Sequence, residues 1–159
     1  CIVFHMTDLP FGRGGSPLQN LISRGIYKTK ISAIRVVQDL DAGDIYYKHD
    51  LDLSEGSARD IFTQTSEIIY KKMIPEILSG KLVPKKQEGK VVVFERRTDD
   101  DGNLGCLKTP QQVYDYIRML DAEGYPNAFV EVDSFKIRFR NVRIGEDGRV
   151  SADCYFSKK

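Results

Sequence analysis

The sequence contains no run of about 18 or more apolar residues, which argues against a helix that spans a bilayer. It also lacks an excess of charge of either sign, with a formal net charge of +1 over 159 residues. The whole molecule therefore has no strong field to gather nucleic acid or anionic lipid. Cys1, Cys106 and Cys154 are odd in number and show neither CxxC nor metal-ligand spacing. Cysteines used this way predict reduced thiols, a cytoplasmic setting and no metal. No secretory leader is read at the start. Neither GxGxxG nor GxxxxGK[ST] occurs, so a dinucleotide fingerprint and a P-loop are both unsupported. Repeats and low-complexity tracts are missing as well.

What is present alternates between strand-like and helix-like patterning. Cys1 to Phe4 is apolar on both faces and predicts a buried strand ending at His5. The chain enters that strand directly, so upstream sequence is expected to complete a larger sheet. Thr7 to Ser16 is rich in Gly and Pro and predicts a loop. Ser16-Pro17 predicts a helix start, with Ser16 as the cap, running to about Arg24 and stopping at Gly25. Ile31 to Val37 and Ile45 to Leu51 predict strands around the acidic turn Asp39 to Asp44. Ser57 to about Leu78 has apolar residues near helical spacing, and Pro75 should kink that helix. This order predicts an α/β fold for residues 1–80.

Residues 81–90 read as a linker. Residues 91–159 predict a small, mostly β module: a strand over Val91 to Arg97, a polar loop, a helix capped by Thr109-Pro110, and three strands. Asp147-Gly148 joins the last two strands as a hairpin turn.

Two features can carry chemistry. His5 stands at the carboxyl end of a buried strand, where open α/β sheets place their ligands. Asp41 lies in the acidic turn after the next strand. Each alone has an ordinary structural explanation, a capped histidine and a turn aspartate. Together they would set imidazole and carboxylate at one rim. Such a pair can move a proton from an attacking amine to a leaving group, and when protonated it can stabilise an oxyanion. Arg13, between glycines, is either an anion ligand or a solvated charge.

The run His5-Met6-Thr7-Asp8-Leu9-Pro10-Phe11-Gly12-Arg13-Gly14 resembles the His-x-Ser-Leu-Leu-Pro-x-x-Arg-Gly loop of the methionyl-tRNA formyltransferase family, which includes the sugar-nucleotide formyltransferases. Leu40-Asp41-Ala42-Gly43-Asp44-Ile45 resembles its Leu-Asp-x-Gly-Asp-Ile turn. Gln87, Arg96-Arg97-Thr98 and Tyr125-Pro126-Asn127-Ala128-Phe129 extend the likeness, the last resembling the Tyr-Pro-x-Ala-Phe signature of the C-terminal domain. The resemblance implies the C-terminal part of a Rossmann-like formyltransferase domain followed by the small module. It implies 10-formyltetrahydrofolate as donor, His5 and Asp41 as catalytic residues, and Leu9, Pro10, Arg13, Gly14, Gly43 and Asp44 around substrate and folate. Val3 occupies the position of the family's Asn, which helps hold the oxyanion, and valine has no donor.

The expected acceptor is the amine of a small molecule, such as an amino sugar nucleotide. Residues 94–159 carry 11 Lys and Arg against 12 Asp and Glu, a poor platform for tRNA phosphates. The alternation Lys136-Ile137-Arg138-Phe139-Arg140 predicts a solvated charged face. Methionyl-tRNA is the alternative acceptor. A folate-binding paralogue with weak turnover is the alternative of another class, motivated by Val3.

Overall fold

The computed structural model describes residues 1–159. Its first sheet has the order β1 (Ile2–His5), β3 (Lys28–Arg35), β4 (Ile45–Asp52), with β2 (Phe11–Gly14) and α1 (Pro17–Ile22) between β1 and β3 in sequence. All neighbours in this sheet are antiparallel: His5 faces Ser32, and Ile2 faces Arg35. The carboxyl ends of β1 and β3 therefore lie at opposite rims, so His5 and Asp41 do not share the strand-end rim expected of them. What brings them together is the excursion over residues 36–44, which leaves the sheet and returns where Arg35 N–H donates to the Asp44 carbonyl (2.9 Å).

Phe11–Gly14 is a strand rather than a loose connector. It pairs parallel with β5 (Val92–Phe94). Gly14 explains why glycine is required. Its φ is +100°, and a Cβ there would lie 2.4 Å from the Phe94 carbonyl oxygen. The glycines let two backbones meet, which local composition alone reports as flexibility.

The long helix opens at Ser57, where Ser57 and Asp60 form a reciprocal capping box, and runs as α2 (Ala58–Ile68). A π-helical turn, Ile69–Met73, then leads into α3 (Ile74–Leu78). Pro75 has no N–H to donate and its ring crowds the preceding turn, so the interruption expected from Pro75 takes the form of a widened turn just before it. Ser16 does not cap α1. It adopts a left-handed conformation (φ 49°), and its hydroxyl instead accepts from Arg97 N–H at 3.0 Å. Thr109 does cap α4 (Pro110–Arg118), accepting from Gln112 N–H.

The second sheet is an antiparallel meander of β6 (Phe129–Val132), β7 (Phe135–Ile144) and β8 (Val150–Lys158). The charged face of β7 is not simply solvated. Lys136 and Arg138 both bind the Asp99 carboxylate and lie over the Phe129 ring. Alternation shows that two faces differ, but not which one a neighbouring loop will cover.

One apolar core runs beneath both sheets, from Leu18, Leu21 and Ile31 to Ile117, Met119 and Ala128. The buried Arg118–Asp115 ion pair ties α4 to the first sheet: Tyr27 Oη donates to Asp115, and Arg118 Nη1 donates to the Gly56 carbonyl. No helix is long and apolar enough to cross a membrane.

Candidate active site

His5 is held from two sides. Its position opposite Ser32 fixes the backbone, and the residue is 8% exposed. Nε2 lies 2.7 Å from the Gly12 carbonyl, which also accepts from Thr7 Oγ1 at 3.2 Å. Nδ1 faces Asp41 Oδ2 at 3.6 Å. Both ring nitrogens thus have an acceptor in front of them. A ring that takes up a second proton during transfer can donate to both.

Asp41 reaches this position through strained backbone. Its φ is +50°, a conformation that costs a non-glycine residue about 1 kcal/mol. Its Oδ2 accepts from Gly14 N–H at 2.8 Å, so the same oxygen faces the imidazole and is anchored by β2. Gly43 packs so closely on β3 that a Cβ would lie 1.7 Å from the Arg35 carbonyl oxygen. The turn therefore has one seat.

Arg13 is half-buried and donates from Nε (3.1 Å) and Nη2 (2.7 Å) to Gln87 Oε1. Gln87 Nε2 in turn donates to the carbonyls of Asp41 (2.7 Å) and Gly43 (2.9 Å). Leu9 is 1% exposed and Pro10 is buried beside it, so both brace the loop from within. Asp44 points outward and lies 4.0 Å from Arg35. His5, Asp41, Arg13, Gly14 and Gly43 thus meet in one constellation, while Leu9, Pro10 and Asp44 flank it.

Val3 sits two residues before His5 in β1, on the same face, and is 40% exposed. No side-chain donor is available at that place.

Residues 81–90 do not hang free. Lys85 exchanges both backbone hydrogen bonds with Ile45, and this sets Gln87 over the turn. A cavity of about 800 Å³ opens between this segment and β4, lined by Tyr46, Tyr47 and Lys48 on one side and Lys81, Lys85 and Lys86 on the other. The segment is basic. Residues 81–93 hold four lysines against one glutamate, while the segments before and after each carry one more acid than base.

A buried imidazole beside a carboxylate anchored by a glycine-rich strand is an arrangement that can take up and release a proton. Comparison with known proteins shows the family. Residues 99–157 match the family described as "Methionyl-tRNA formyltransferase, C-terminal domain". The structure of methionyl-tRNA formyltransferase from Clostridium thermocellum superposes with a TM-score of 0.95 at 51% identity, covering 100% of this chain and 69% of that one. The methionyl-tRNA formyltransferase of Bacillus cytotoxicus is 33% identical over 126 residues, 76% of this chain and 40% of its own length. The N-formyltransferase of Helicobacter canadensis, solved with folinic acid and dTDP-3-aminofucose, shares the fold at TM-score 0.71 and 18% identity, over 97% of this chain and 66% of that one. The chain belongs to the methionyl-tRNA formyltransferase family. It spans 40% of the length of the curated relative from Bacillus.

Proposed function

We propose that this chain carries the reacting pair of a formyltransferase that moves a formyl group from 10-formyltetrahydrofolate to a primary amine. The observation that carries the proposal is the Asp41 carboxylate, anchored by Gly14 N–H and facing the buried His5 ring at 3.6 Å. The folate supplies a formyl carbon as electrophile and a ring-substituted amine as leaving group. The His5–Asp41 pair takes the proton that the attacking amine must shed, directly or through one water, and passes it to the leaving nitrogen. Asp41 orients the ring and balances its charge while it is doubly protonated. The low exposure of both side chains, 9% and 12%, limits competition from bulk water for the proton. Arg13, Gly14, Gly43 and Asp44 are the proposed contacts to folate and acceptor, with Arg13 as the cation for an anionic group, while Leu9 and Pro10, expected there as well, are buried and shape the loop from beneath.

The acceptor we favour is the amine of methionyl-tRNA. The 51% identity across the whole chain supports it, as does the lysine-rich segment beside the site. Four lysines and two tyrosines around one groove suit a phosphate backbone with unpaired bases. A small amino sugar acceptor remains the second reading. The observation in its favour is that residues 94–159 carry no positive excess, and Asp99 already pairs with both Lys136 and Arg138. The test is formyl transfer in the full-length protein with methionyl-tRNA and with an amino sugar nucleotide. On the favoured reading kcat/KM is higher for the tRNA and falls steeply with salt. Turnover of the sugar nucleotide alone would replace it with the second reading. Folate binding without transfer to any amine would leave only a binding protein.

A further inference from the structure

Gln87 satisfies three groups of the site at once from a segment that sequence composition marks as a tether. Its amide nitrogen has two protons, and each meets a carbonyl of the acidic turn, Asp41 O and Gly43 O. Its amide oxygen accepts from two nitrogens of Arg13. The assignment of oxygen and nitrogen is forced by these partners, because the reversed amide would set oxygen against two carbonyls and nitrogen against a guanidinium. Gln87 itself is placed by the double backbone bridge between Lys85 and Ile45 at the start of β4.

The turn needs such a clamp. Asp41 holds a left-handed backbone, and residues 36–40, immediately before it, are exposed. Of the turn's own links to the rest of the fold, the Asp41 side chain reaches Gly14 N–H, and Gly43 is seated against Arg35. The carbonyls on either side of Ala42 would otherwise face solvent or each other. Bonding both to one amide fixes the direction in which the Asp41 side chain leaves the backbone.

We propose that Gln87 is a positioning residue: it latches the Asp41 turn and Arg13 from the lysine-rich segment, and so sets the carboxylate against His5. It touches neither reacting group's side chain, and its effect passes through Asp41. This inference rests on the formyl-transfer reading for its activity consequence, but not for its structural one. A further consequence is that the segment which would meet an acceptor's phosphates also carries the latch.

The test uses two substitutions in the full chain. Gln87→Met keeps the length and removes all hydrogen bonds. Gln87→Glu keeps the acceptor for Arg13 but turns a carboxylate oxygen toward the two carbonyls. Displacement of a reacting group by about 1 Å can cost roughly 10²-fold in rate. Both variants are therefore expected to lose about 10- to 100-fold in kcat with a smaller change in KM for the folate. Gly14 N–H, whose acceptor is Asp41 Oδ2, is expected to exchange with deuterium faster in both, while amides of β3 keep their protection. If Gln87→Glu retains wild-type kcat and Gly14 protection, the residue serves only to anchor Arg13 and the latch is refuted. Wild-type behaviour of Gln87→Met refutes it as well. If the unaltered protein transfers no formyl group, the functional reading fails, and Gly14 exchange alone still decides the latch. Loss of protection throughout β3 in both variants would mark Gln87 as a general stability residue and also overturn the proposal.

Discussion

Replacing Arg118 with Met should cost about 3–5 kcal/mol of folding stability, because it strands a buried carboxylate. Arg118 is 1% exposed and lies in α4, three residues after its partner Asp115. Its Nε donates to Asp115 Oδ1 at 2.8 Å, and Nη1 donates to the Gly56 carbonyl at 3.1 Å. The guanidinium also lies 5.7 Å and 5.4 Å from the ring centres of Tyr27 and Tyr114. After the substitution Asp115 keeps only neutral donors, Tyr27 Oη at 2.6 Å and Gln111 Nε2 at 3.1 Å. The two neutral hydrogen bonds offset only part of the charge's desolvation, each contributing about 1 kcal/mol net. The Gly56 carbonyl also loses its partner, which adds about 1 kcal/mol or more. For a domain whose total stability is about 5–15 kcal/mol, such a loss is large. Urea unfolding of wild type, Arg118→Met, Asp115→Leu and the double variant forms a complete cycle. The double variant should regain most of what either single change loses, since two apolar residues replace two charges. Single variants that each cost under about 1 kcal/mol, with additive effects, would refute the claim that this pair is a desolvated link between α4 and the first sheet.

Three further outcomes follow from particular contacts. Hydrogen bonds from Arg138 and Lys136, against a smaller opposing effect of burial, hold the Asp99 carboxyl down at about 2, below its ordinary value near 4. A depressed carboxylate stabilises above its unfolded pKa, and that contribution disappears as pH falls from about 4 toward 2. The shift alone would correspond to roughly 2–3 kcal/mol, but the side chain is 38% exposed, so Asp99→Asn should cost about 1 kcal/mol at pH 7 and much less near pH 2, measured by urea unfolding at both values. Gly14→Ala should lower stability by at least about 3 kcal/mol and uncouple Asp41, because its Cβ would strike the Phe94 carbonyl and its φ is unfavourable; an unchanged melting temperature would show that β2 and β5 do not meet as described. Val3→Asn restores a donor two residues before His5, and if the missing oxyanion contact limits turnover, kcat should rise by about 10-fold or more; an equal or lower kcat shows that another group already fills the role.

Much of this arrangement was legible in the residues, and the parts that were not share a physical origin. The strand ending at His5, the cap at Thr109, the hairpin at Asp147-Gly148 and the break near Pro75 each depend on local chemistry, and local chemistry predicted them. The strand character of Phe11–Gly14 depends on Phe94, some 80 residues away, and glycine content alone reads as flexibility. The antiparallel direction of β3 is a tertiary property, so the conjunction of His5 and Asp41 was reached by a route the sheet does not follow. Ser16 had the composition of a cap, but the arrival of Arg97 gave its hydroxyl another partner. The charged face of β7 was visible, whereas its burial against Asp99 was not. Gln87 carried no local signal beyond its likeness to the family, since its partners lie 44 and 46 residues before it and at Arg13. Charge counted over the whole chain hid the lysines of residues 81–93, because the flanking segments cancel part of them.

The central claim is that His5 and Asp41 act as one proton-handling unit in formyl transfer. The most direct test is single-turnover transfer of labelled formyl from 10-formyltetrahydrofolate to methionyl-tRNA by full-length wild type, His5→Ala, Asp41→Asn and the double variant. Each single change should lower the rate about 10²–10⁴-fold, and the double should lose little more than the worse single, as members of one unit do. Rates within a few-fold of wild type in either single variant would contradict the account.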